Sequence, residues 1–190
     1  LVAGDTTPTR DIFMWQRSTN TITAVTAGDQ ISGDPVPSDA GTVAFESLAT
    51  NLVAGDTNVQ SDVFVWDYVT NATTGLTRGS MGSYDPSISA DGSAIAFWSY
   101  APELVPDDIN GNNADVFLWT ATAGVTRITA GNFRSEDPRI SPDGSYLAFY
   151  ASASNLVAGD VNGQTDVFLH KISTGITTRL TDGNGPSNYT

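Results

Sequence analysis

Short apolar runs separated by turns fill the chain from its first residue to its last. The runs are rich in β-branched and aromatic residues and extend over about five positions each, which is typical of β-strands. Many of them are bounded by Gly, Asn, Asp or Pro, the residues that form tight turns. No long window has apolar residues at the three- and four-residue spacing of a helix. The pattern therefore predicts an all-β chain.

The strand pattern recurs with a period of about 52 residues. The segment Leu-Val-Ala-Gly-Asp opens one copy at Leu1, and similar segments open further copies at Leu52, Leu104 and Leu156. Self-similarity at a fixed period is the signature of a repeat architecture. The copies divide the chain into the repeats 1–51, 52–103 and 104–155 and the partial repeat 156–190.

Each full repeat contains four predicted strands. An acidic loop leads into a first apolar strand, for example at residues 115–119, and a Thr-rich strand follows at residues 125–129. The pair Asp137-Pro138 is expected to begin the next strand, because proline has no N–H to donate. An Asp-Gly turn then leads into a strand at residues 147–150 that is apolar on both faces, which indicates that it is covered on both sides. Four-stranded units at this period are typical of β-propeller blades.

Counting these strands gives about three and a half blades. The chain opens with the last two strands of one blade and continues with three complete sets of four, 14 strands in all. We therefore predict an all-β fold of antiparallel four-stranded meanders, forming a single propeller segment over residues 1–190. The incomplete opening half-blade lacks a hairpin of about 19 residues, judged from residues 137–155. We expect this hairpin to come from further blades of a longer chain, or from another copy that joins end to end into a fibre.

Two motifs resemble those of a known family. Residues 137–149 carry Asp-Pro-x-Ile-Ser-Pro-Asp-Gly-Ser-x-Leu-Ala-Phe, which resembles the blade motif of TolB-like propellers, WD-related repeats of bacterial periplasmic and surface proteins. The loop Asn-Leu-Val-x-Gly-Asp-x-Asn-Gly, followed by Asp-Val-Phe, is similar to that of a secreted bacterial subgroup. The resemblance covers essentially the whole chain. It implies a propeller fold but not an activity, since propellers carry many unrelated functions.

The composition argues against several classes of function and of site. The chain has 21 Asp and Glu against 8 Lys and Arg, a formal net charge of −13, which repels phosphate backbones and argues against nucleic-acid binding. It has no Cys, which excludes disulfides and thiolate metal sites. No run of apolar residues is long enough to span a membrane. We expect neither a nucleic-acid partner nor a membrane span.

The acidic loops have the spacing of a hard-cation site. Oxygen-bearing side chains stand at alternate positions, and Ca²⁺ takes about six to eight oxygens from carboxylates, amides and backbone carbonyls. Magnesium competes, but a flexible loop rich in carbonyls favours calcium. The candidate ligands are Asp5, Thr7 and Asp11 in loop one; Asp56, Asn58, Gln60 and Asp62 in loop two; Asp108, Asn110, Asn112 and Asp115 in loop three; and Asp160, Asn162, Gln164 and Asp166 in loop four.

The alternative is that these loops are only turns, since Asp, Asn and Gly are ordinary turn residues. Turn formation explains the Asn-Gly pairs, but it explains less well why two carboxylates bracket the loop in every copy. Loop one is the weakest candidate, because it lacks the amide and has Arg10 beside it. Loop three is one residue longer, with Asp107 as a spare carboxylate. We expect calcium in loops two, three and four and leave loop one open.

The remaining candidate residues are explained by packing and ion pairing. Three tryptophans at equivalent positions could form a sugar-binding platform, although packing between blades is favoured. The single histidine replaces the fourth tryptophan and is expected to fill its place rather than to catalyse. Three arginines recur on the Thr-rich fourth strand of successive blades and are expected to pair with neighbouring carboxylates. These residues are Trp15, Trp66, Trp119, His170, Arg78, Arg127 and Arg179.

No catalytic triad or zinc site can be assembled from one His and no Cys, so we do not expect an enzyme. The predicted function is a calcium-stabilised extracellular or cell-surface propeller, with the periplasm as a second location, that acts in structure, self-assembly or protein interaction. The expected partners are calcium and other copies or further blades. The alternative is a carbohydrate- or peptide-binding module of a larger secreted protein.

Overall fold

The structure, a computed structural model, describes residues 8–108, 110–183 and 185, and these contain 14 β-strands. The half-blade consists of β1 (Phe13–Gln16) and β2 (Thr21–Ala24). The first blade is β3 (Ser32–Pro37), β4 (Thr42–Ser47), β5 (Asp62–Asp67) and β6 (Ala72–Gly75). The second is β7 (Ser83–Ile88), β8 (Ala94–Ser99), β9 (Asp115–Thr120) and β10 (Gly124–Arg127). The third is β11 (Ser135–Ile140), β12 (Tyr146–Ala151), β13 (Asp166–Lys171) and β14 (Ile176–Arg179).

Each complete blade is an antiparallel meander in chain order, and the half-blade is a two-stranded sheet. This confirms the predicted fold class and the count of three and a half blades. The first strands β3, β7 and β11 contact one another from blade to blade. A short 3-10 turn, Pro102–Leu104, interrupts loop three. No helix among the described residues is long and apolar enough to cross a membrane.

A stacked phenylalanine pair marks the core of every complete blade. The two rings belong to residues that face each other across the second and third strands. Their centroids lie 5.5, 5.6 and 5.7 Å apart, and all six side chains are buried. The pairs are Phe45–Phe64, Phe97–Phe117 and Phe149–Phe168. The apolar character of β4 and β8 on both faces is explained by burial, because one face packs against the preceding blade or half-blade and the other against the following blade.

The position of the Asp-Pro pairs differs from the prediction. Strand β7 already begins at Ser83, so Asp85 and Pro86 lie inside the strand and the expectation that they begin it is wrong. Asp85 has a φ of 50°, and the pairing with β8 shifts there. A β-bulge leaves the extra residue unpaired, so the proline needs no N–H, and aspartate tolerates the left-handed conformation. The other two blades have the same bulge at Asp34 and Asp137.

Buried serines join the first and second strands in two of the three blades. The Ser32 and Ser47 hydroxyls lie 2.9 Å apart, and the Ser83 hydroxyl donates to Ser99 at the same distance. In the third blade Ser135 is fully buried, but the residue opposite is alanine. The Ser135 hydroxyl therefore has no hydrogen-bond partner.

Replacing Ala151, the residue opposite Ser135, with serine is expected to stabilise the chain. A second hydroxyl would partner Ser135 and raise the free energy of unfolding by about 0.5–1.5 kcal/mol. Urea unfolding followed by circular dichroism measures the change. The reverse substitution, Ser99→Ala, is the matched control and should destabilise, because Ser99 also donates to the Gly82 carbonyl. An Ala151→Ser variant less stable than the parent chain would contradict the expected hydroxyl pair.

Candidate cation sites in the acidic loops

The last carboxylate of each acidic loop lies at the start of the third strand and is fully buried in every complete blade. Its Oδ1 atom accepts a hydrogen bond of 2.8 Å from a threonine hydroxyl beyond the fourth strand. The same hydroxyl accepts the N–H of the residue that follows the aspartate. The pairs are Asp62–Thr77, Asp115–Thr129 and Asp166–Thr181. These threonines were predicted as strand residues, but the strands end before them and the side chains tie the loop to the blade.

The loop asparagine contacts this carboxylate through its amide nitrogen. The Nδ2 atoms of Asn58, Asn110 and Asn162 donate to the Oδ2 of the buried aspartate at 3.1, 2.8 and 2.9 Å. Each also donates to a glycine carbonyl at 2.8–3.0 Å. The side-chain oxygens of Asn58 and Asn162 accept the backbone N–H two residues later. These are turn contacts, so the asparagines have a structural role whether or not a cation binds.

The longer loop three lacks the last of these contacts. The Asn110 side-chain oxygen is buried and has no hydrogen-bond partner. The Nδ2 atom of Asn113 donates to the backbone carbonyl of Asn110 at 3.0 Å. Asn112 is exposed. In loops two and four the predicted ligands Gln60 and Gln164 engage the asparagine through their backbone N–H.

In loops three and four an arginine guanidinium lies between the two carboxylates. The NH1 atom of Arg127 is 2.9 Å from Asp108 and 3.6 Å from Asp115. The NH1 atom of Arg179 is 2.8 Å from Asp160 and 3.7 Å from the buried Asp166. The predicted pairing of these two arginines with carboxylates is confirmed. A positive charge within the acidic loop is therefore already supplied by the blade itself in two of its copies.

Loop two has no such arginine. Arg127 and Arg179 each stand two residues before the threonine that binds the aspartate. In the first blade the equivalent residue is Gly75. Arg78 follows the end of β6, so the expectation that it recurs on the same strand position is wrong. No carboxylate among the described residues lies within 4 Å of its guanidinium. The Oδ1 atom of Asp56 is buried and unpaired.

Loop one is only partly described, since Asp5 and Thr7 lie outside the described residues. The Oδ1 atom of Asp11 accepts from the Thr26 hydroxyl at 2.9 Å and from the Gly28 N–H at 3.3 Å. Asp11 thus has the same threonine contact as its counterparts in the complete blades. Arg10 donates from Nε to the Ser32 carbonyl at 3.1 Å.

Burial makes the charged form of the loop carboxylates unfavourable. It raises the pKa of both Asp62 and Asp115 to about 6, while hydrogen bonds from threonine and asparagine act in the opposite direction. Burial also raises the pKa of Asp56. Repulsion between Asp56 and Asp62, and between Asp108 and Asp115, adds to the effect. Loops two and three are therefore places where a positive charge is electrostatically favoured.

The loops fit a calcium ion in chemistry, since carboxylate, amide and carbonyl oxygens come together in each one. Within the described residues, no group of three or more acidic, His or Cys side chains converges. A bound Ca²⁺ would therefore need backbone and amide oxygens to complete its ligand shell. These contacts do not test the predicted calcium sites, which stay a prediction.

The equivalent aromatic positions are not alike in their surroundings. Trp66 is 2% exposed and Trp119 packs against the core, which confirms the predicted packing role for these two. His170 is also buried, and its Nδ1 lies 2.9 Å from the Thr177 hydroxyl. Trp15 in the half-blade is 57% exposed. Trp15 is not packed in the described part of the chain, where no second strand lies beside it.

One acidic residue that the sequence analysis did not single out has a special environment. The Glu46 carboxyl on β4 accepts the Asp85 N–H of the next blade at 3.2 Å and shares a hydrogen bond with the Asp34 side chain. Burial, together with the charges of Asp34 and Asp85, raises the pKa of Glu46 to about 7, while the hydrogen bond from the Asp85 N–H acts in the opposite direction. Trp98 and Tyr150 occupy the equivalent positions. An acid within a strand that is otherwise apolar on both faces was the signal available in the sequence.

Comparison with known proteins identifies the fold. No family model and no curated protein matches the chain. Among solved structures, TolB from Acinetobacter baumannii is similar with a TM-score of 0.55 and 20% identity, over 85% of this chain and 35% of TolB. A prolyl endopeptidase gives 0.61 and 14%, over 91% of this chain and 26% of the enzyme. The β-propeller domain of the Trilobed protease from Pyrococcus furiosus gives 0.55 and 15%, over 82% and 43%.

The chain spans less than half of each of these proteins. At such identities the likeness shows the fold alone. The chain is a set of β-propeller blades, and the activities of the similar proteins are not carried over to it.

Proposed function

We propose that this chain is a structural or protein-interaction segment of a calcium-stabilised β-propeller outside the cytoplasm. Its half-blade pairs with a β-hairpin whose sequence is that of the first and second strands of this repeat. The exposed Trp15 carries the proposal, because its counterpart Trp66 is almost completely buried. We do not propose an enzyme, since the loop carboxylates are held in repeated structural contacts.

The half-blade has a free strand edge. Strand β1 pairs with β2 alone within the described part of the chain. In the complete blades, the third strand pairs along six residues with the second strand of the same blade. An unpaired edge presents N–H and C=O groups that favour the addition of another strand.

An apolar groove lies beside this edge. It is lined by Ile12, Met14 and Val25 of the half-blade and by Pro37 and Val43 of the first blade. In the complete blades the equivalent space holds the first and second strands, which bury their apolar side chains against the next blade. A hairpin like β11–β12 matches both the free edge and the groove. We infer that the occupant is a hairpin of this repeat type.

The location outside the cytoplasm rests on the expected weakness of the calcium sites. Short, partly neutral loops of this kind should bind Ca²⁺ with a dissociation constant of ~10⁻⁴–10⁻³ M, the range of extracellular modules. Such sites fill where free calcium is abundant, at the cell surface or in the periplasm. A submicromolar dissociation constant would argue against this location.

Titration with a synthetic peptide of residues 133–153 tests the hairpin proposal. The peptide contains no Trp, so a blue shift in the chain's fluorescence reports on its own tryptophans. We expect saturable binding and a blue shift in the parent chain, and the loss of this shift in the Trp15→Phe variant. The peptide should raise the melting temperature of both the parent and the variant. An Ala148→Pro peptide is the control, because proline in β12 blocks a ladder hydrogen bond.

The assembly state of the chain distinguishes the two sources of the hairpin. Ordered filaments in electron microscopy would identify another copy as the donor and support a fibre subunit. A monodisperse monomer of about 20 kDa that binds the peptide would support further blades of a longer chain. A monomer that binds no peptide, with Trp15 still exposed, would overturn the proposal.

A cleft between the first two blades supports the second candidate, a carbohydrate- or peptide-binding module. It is lined by the polar side chains of Arg10, Glu46 and Gln60 and by the Tyr84 ring, which is tilted by 32° against Trp98 with the ring centroids 4.7 Å apart. Aromatic faces beside a few polar groups are typical of ligand sites. A glycan array probed with and without calcium separates this candidate from a purely structural role.

A further inference from the structure

We propose that loop two is the Ca²⁺ site of this chain, and that in loops three and four an arginine of the same blade takes the place of the ion. The inference rests on the proposed calcium-stabilised role and names the loop responsible. It follows from a difference between the loops, since loop two lacks the arginine that loops three and four contain.

The three loops share the same carboxylate pair but not the same cation. The Oδ1 atoms of Asp108 and Asp160 receive a guanidinium at 2.9 and 2.8 Å. The equivalent atom, Oδ1 of Asp56, is buried and has no hydrogen-bond partner, and the residue as a whole is 7% exposed. A buried carboxylate oxygen without a donor costs free energy unless a cation reaches it. In loops three and four the guanidinium lies beside the equivalent carboxylate oxygen, so we place the cation of loop two at Oδ1 of Asp56.

Gly75 is the reason for the difference. It stands two residues before Thr77, where Arg127 and Arg179 stand in the later blades. Its φ is not positive, so its backbone does not require glycine. A Cβ at this position would approach the Val53 side chain to 3.2 Å and Phe64 to 3.5 Å. The third neighbour of this Cβ position is the Nε atom of Arg78 at 3.6 Å, so a substitution here needs the Val53 side chain to shift slightly.

Arg78 does not replace the missing guanidinium. Burial raises the pKa of Asp56, and the positive charge of Arg78 offsets only part of this effect. Arg78 is farther than 4 Å from every carboxylate in the described residues. Its NH1 atom lies 3.6 Å from the Cβ position of Gly55. A divalent ion held by Asp56, Asp62 and the loop's amide and carbonyl oxygens would neutralise the pair fully.

The test is isothermal titration calorimetry with CaCl₂ on chelator-treated protein, with melting curves in EDTA and in calcium. We expect one Ca²⁺ per chain and a calcium-dependent rise in melting temperature. Asp56→Asn should abolish the binding. Gly75→Arg should also remove it and should raise the melting temperature in EDTA to near the parent's value in calcium. Arg78→Ala should tighten the binding, because a nearby positive charge is lost.

Asp108→Asn and Asp160→Asn are the matched controls and should keep one Ca²⁺ per chain. Loss of the ion in either control, or in Asp11→Asn, with binding intact in Asp56→Asn, would overturn the assignment to loop two while leaving a calcium-stabilised protein. No binding up to about 10 mM, ten times the weakest affinity typical of extracellular modules, would overturn calcium binding altogether. The hairpin proposal stands or falls separately, by the peptide titration.

Discussion

Replacing Arg127 with methionine is expected to lower the free energy of unfolding by roughly 3–5 kcal/mol. The Arg127 side chain is 7% exposed, and its partners Asp108 and Asp115 are 2% and 0% exposed. Methionine fills a similar volume but leaves two buried carboxylates without a cation. Arg127 also donates to the Asp107 carbonyl at 2.6 Å, a bond that is lost as well. Urea unfolding at pH 7.5 measures the change.

Arg134→Met is the matched control. Arg134 pairs with Glu136 at 3.4 Å, but its side chain is 59% exposed. An exposed ion pair contributes about 0–1 kcal/mol, so this variant should be close to the parent. Adding Asp108→Asn to Arg127→Met should recover part of the loss, because one of the uncompensated charges is removed. Equal losses for Arg127→Met and Arg134→Met would show that the buried guanidinium is not essential to loop three.

The second large effect is a loss of stability as the pH rises from 5 to 8. Burial raises the pKa of Glu46 from its ordinary 4.5 to about 7. The folded state therefore keeps a proton that the unfolded state releases. The stabilisation is complete below about pH 4.5 and is lost as the pH rises through about 7. One pKa unit corresponds to about 1.4 kcal/mol, and because Glu46 is only partly buried we expect about 1–2 kcal/mol.

The variant Glu46→Gln isolates this contribution. Other groups act in the same direction, since the pKa values of Asp62 and Asp115 are also raised. Glutamine keeps the shape but does not titrate, so the stability of the variant should fall less between pH 5 and 8. Glu103→Gln is the control, because the Ser80 N–H lowers the pKa of Glu103 and places its titration below this range. Urea midpoints at four pH values suffice, and parallel curves for the parent and Glu46→Gln would refute the assignment.

The architecture was predictable because it depends on local and periodic features. The 52-residue period and the alternation of apolar residues define the blades, and Asp-Gly pairs define the hairpins between first and second strands in the second and third blades. These signals act within a few residues of one another, so they can be recognised without the fold. The bulge at Asp85 was missed because a Pro in a strand is compatible either with the first position or with a bulge. Only the pairing with β8 decides between them.

The chemistry of the loops was predictable only in part. The sequence by itself determined that two carboxylates recur in every loop and an asparagine in loops two, three and four, and hence that the loops need compensation for their charge. The tertiary structure decided what supplies it, because Arg127 is 19 residues from Asp108 and reaches it only when the fourth strand folds beside the loop. The same holds for Glu46, which meets Asp85 of the next blade across 39 residues. Sequence periodicity specifies which residues repeat, whereas contacts between strands and between blades determine which charges are neutralised.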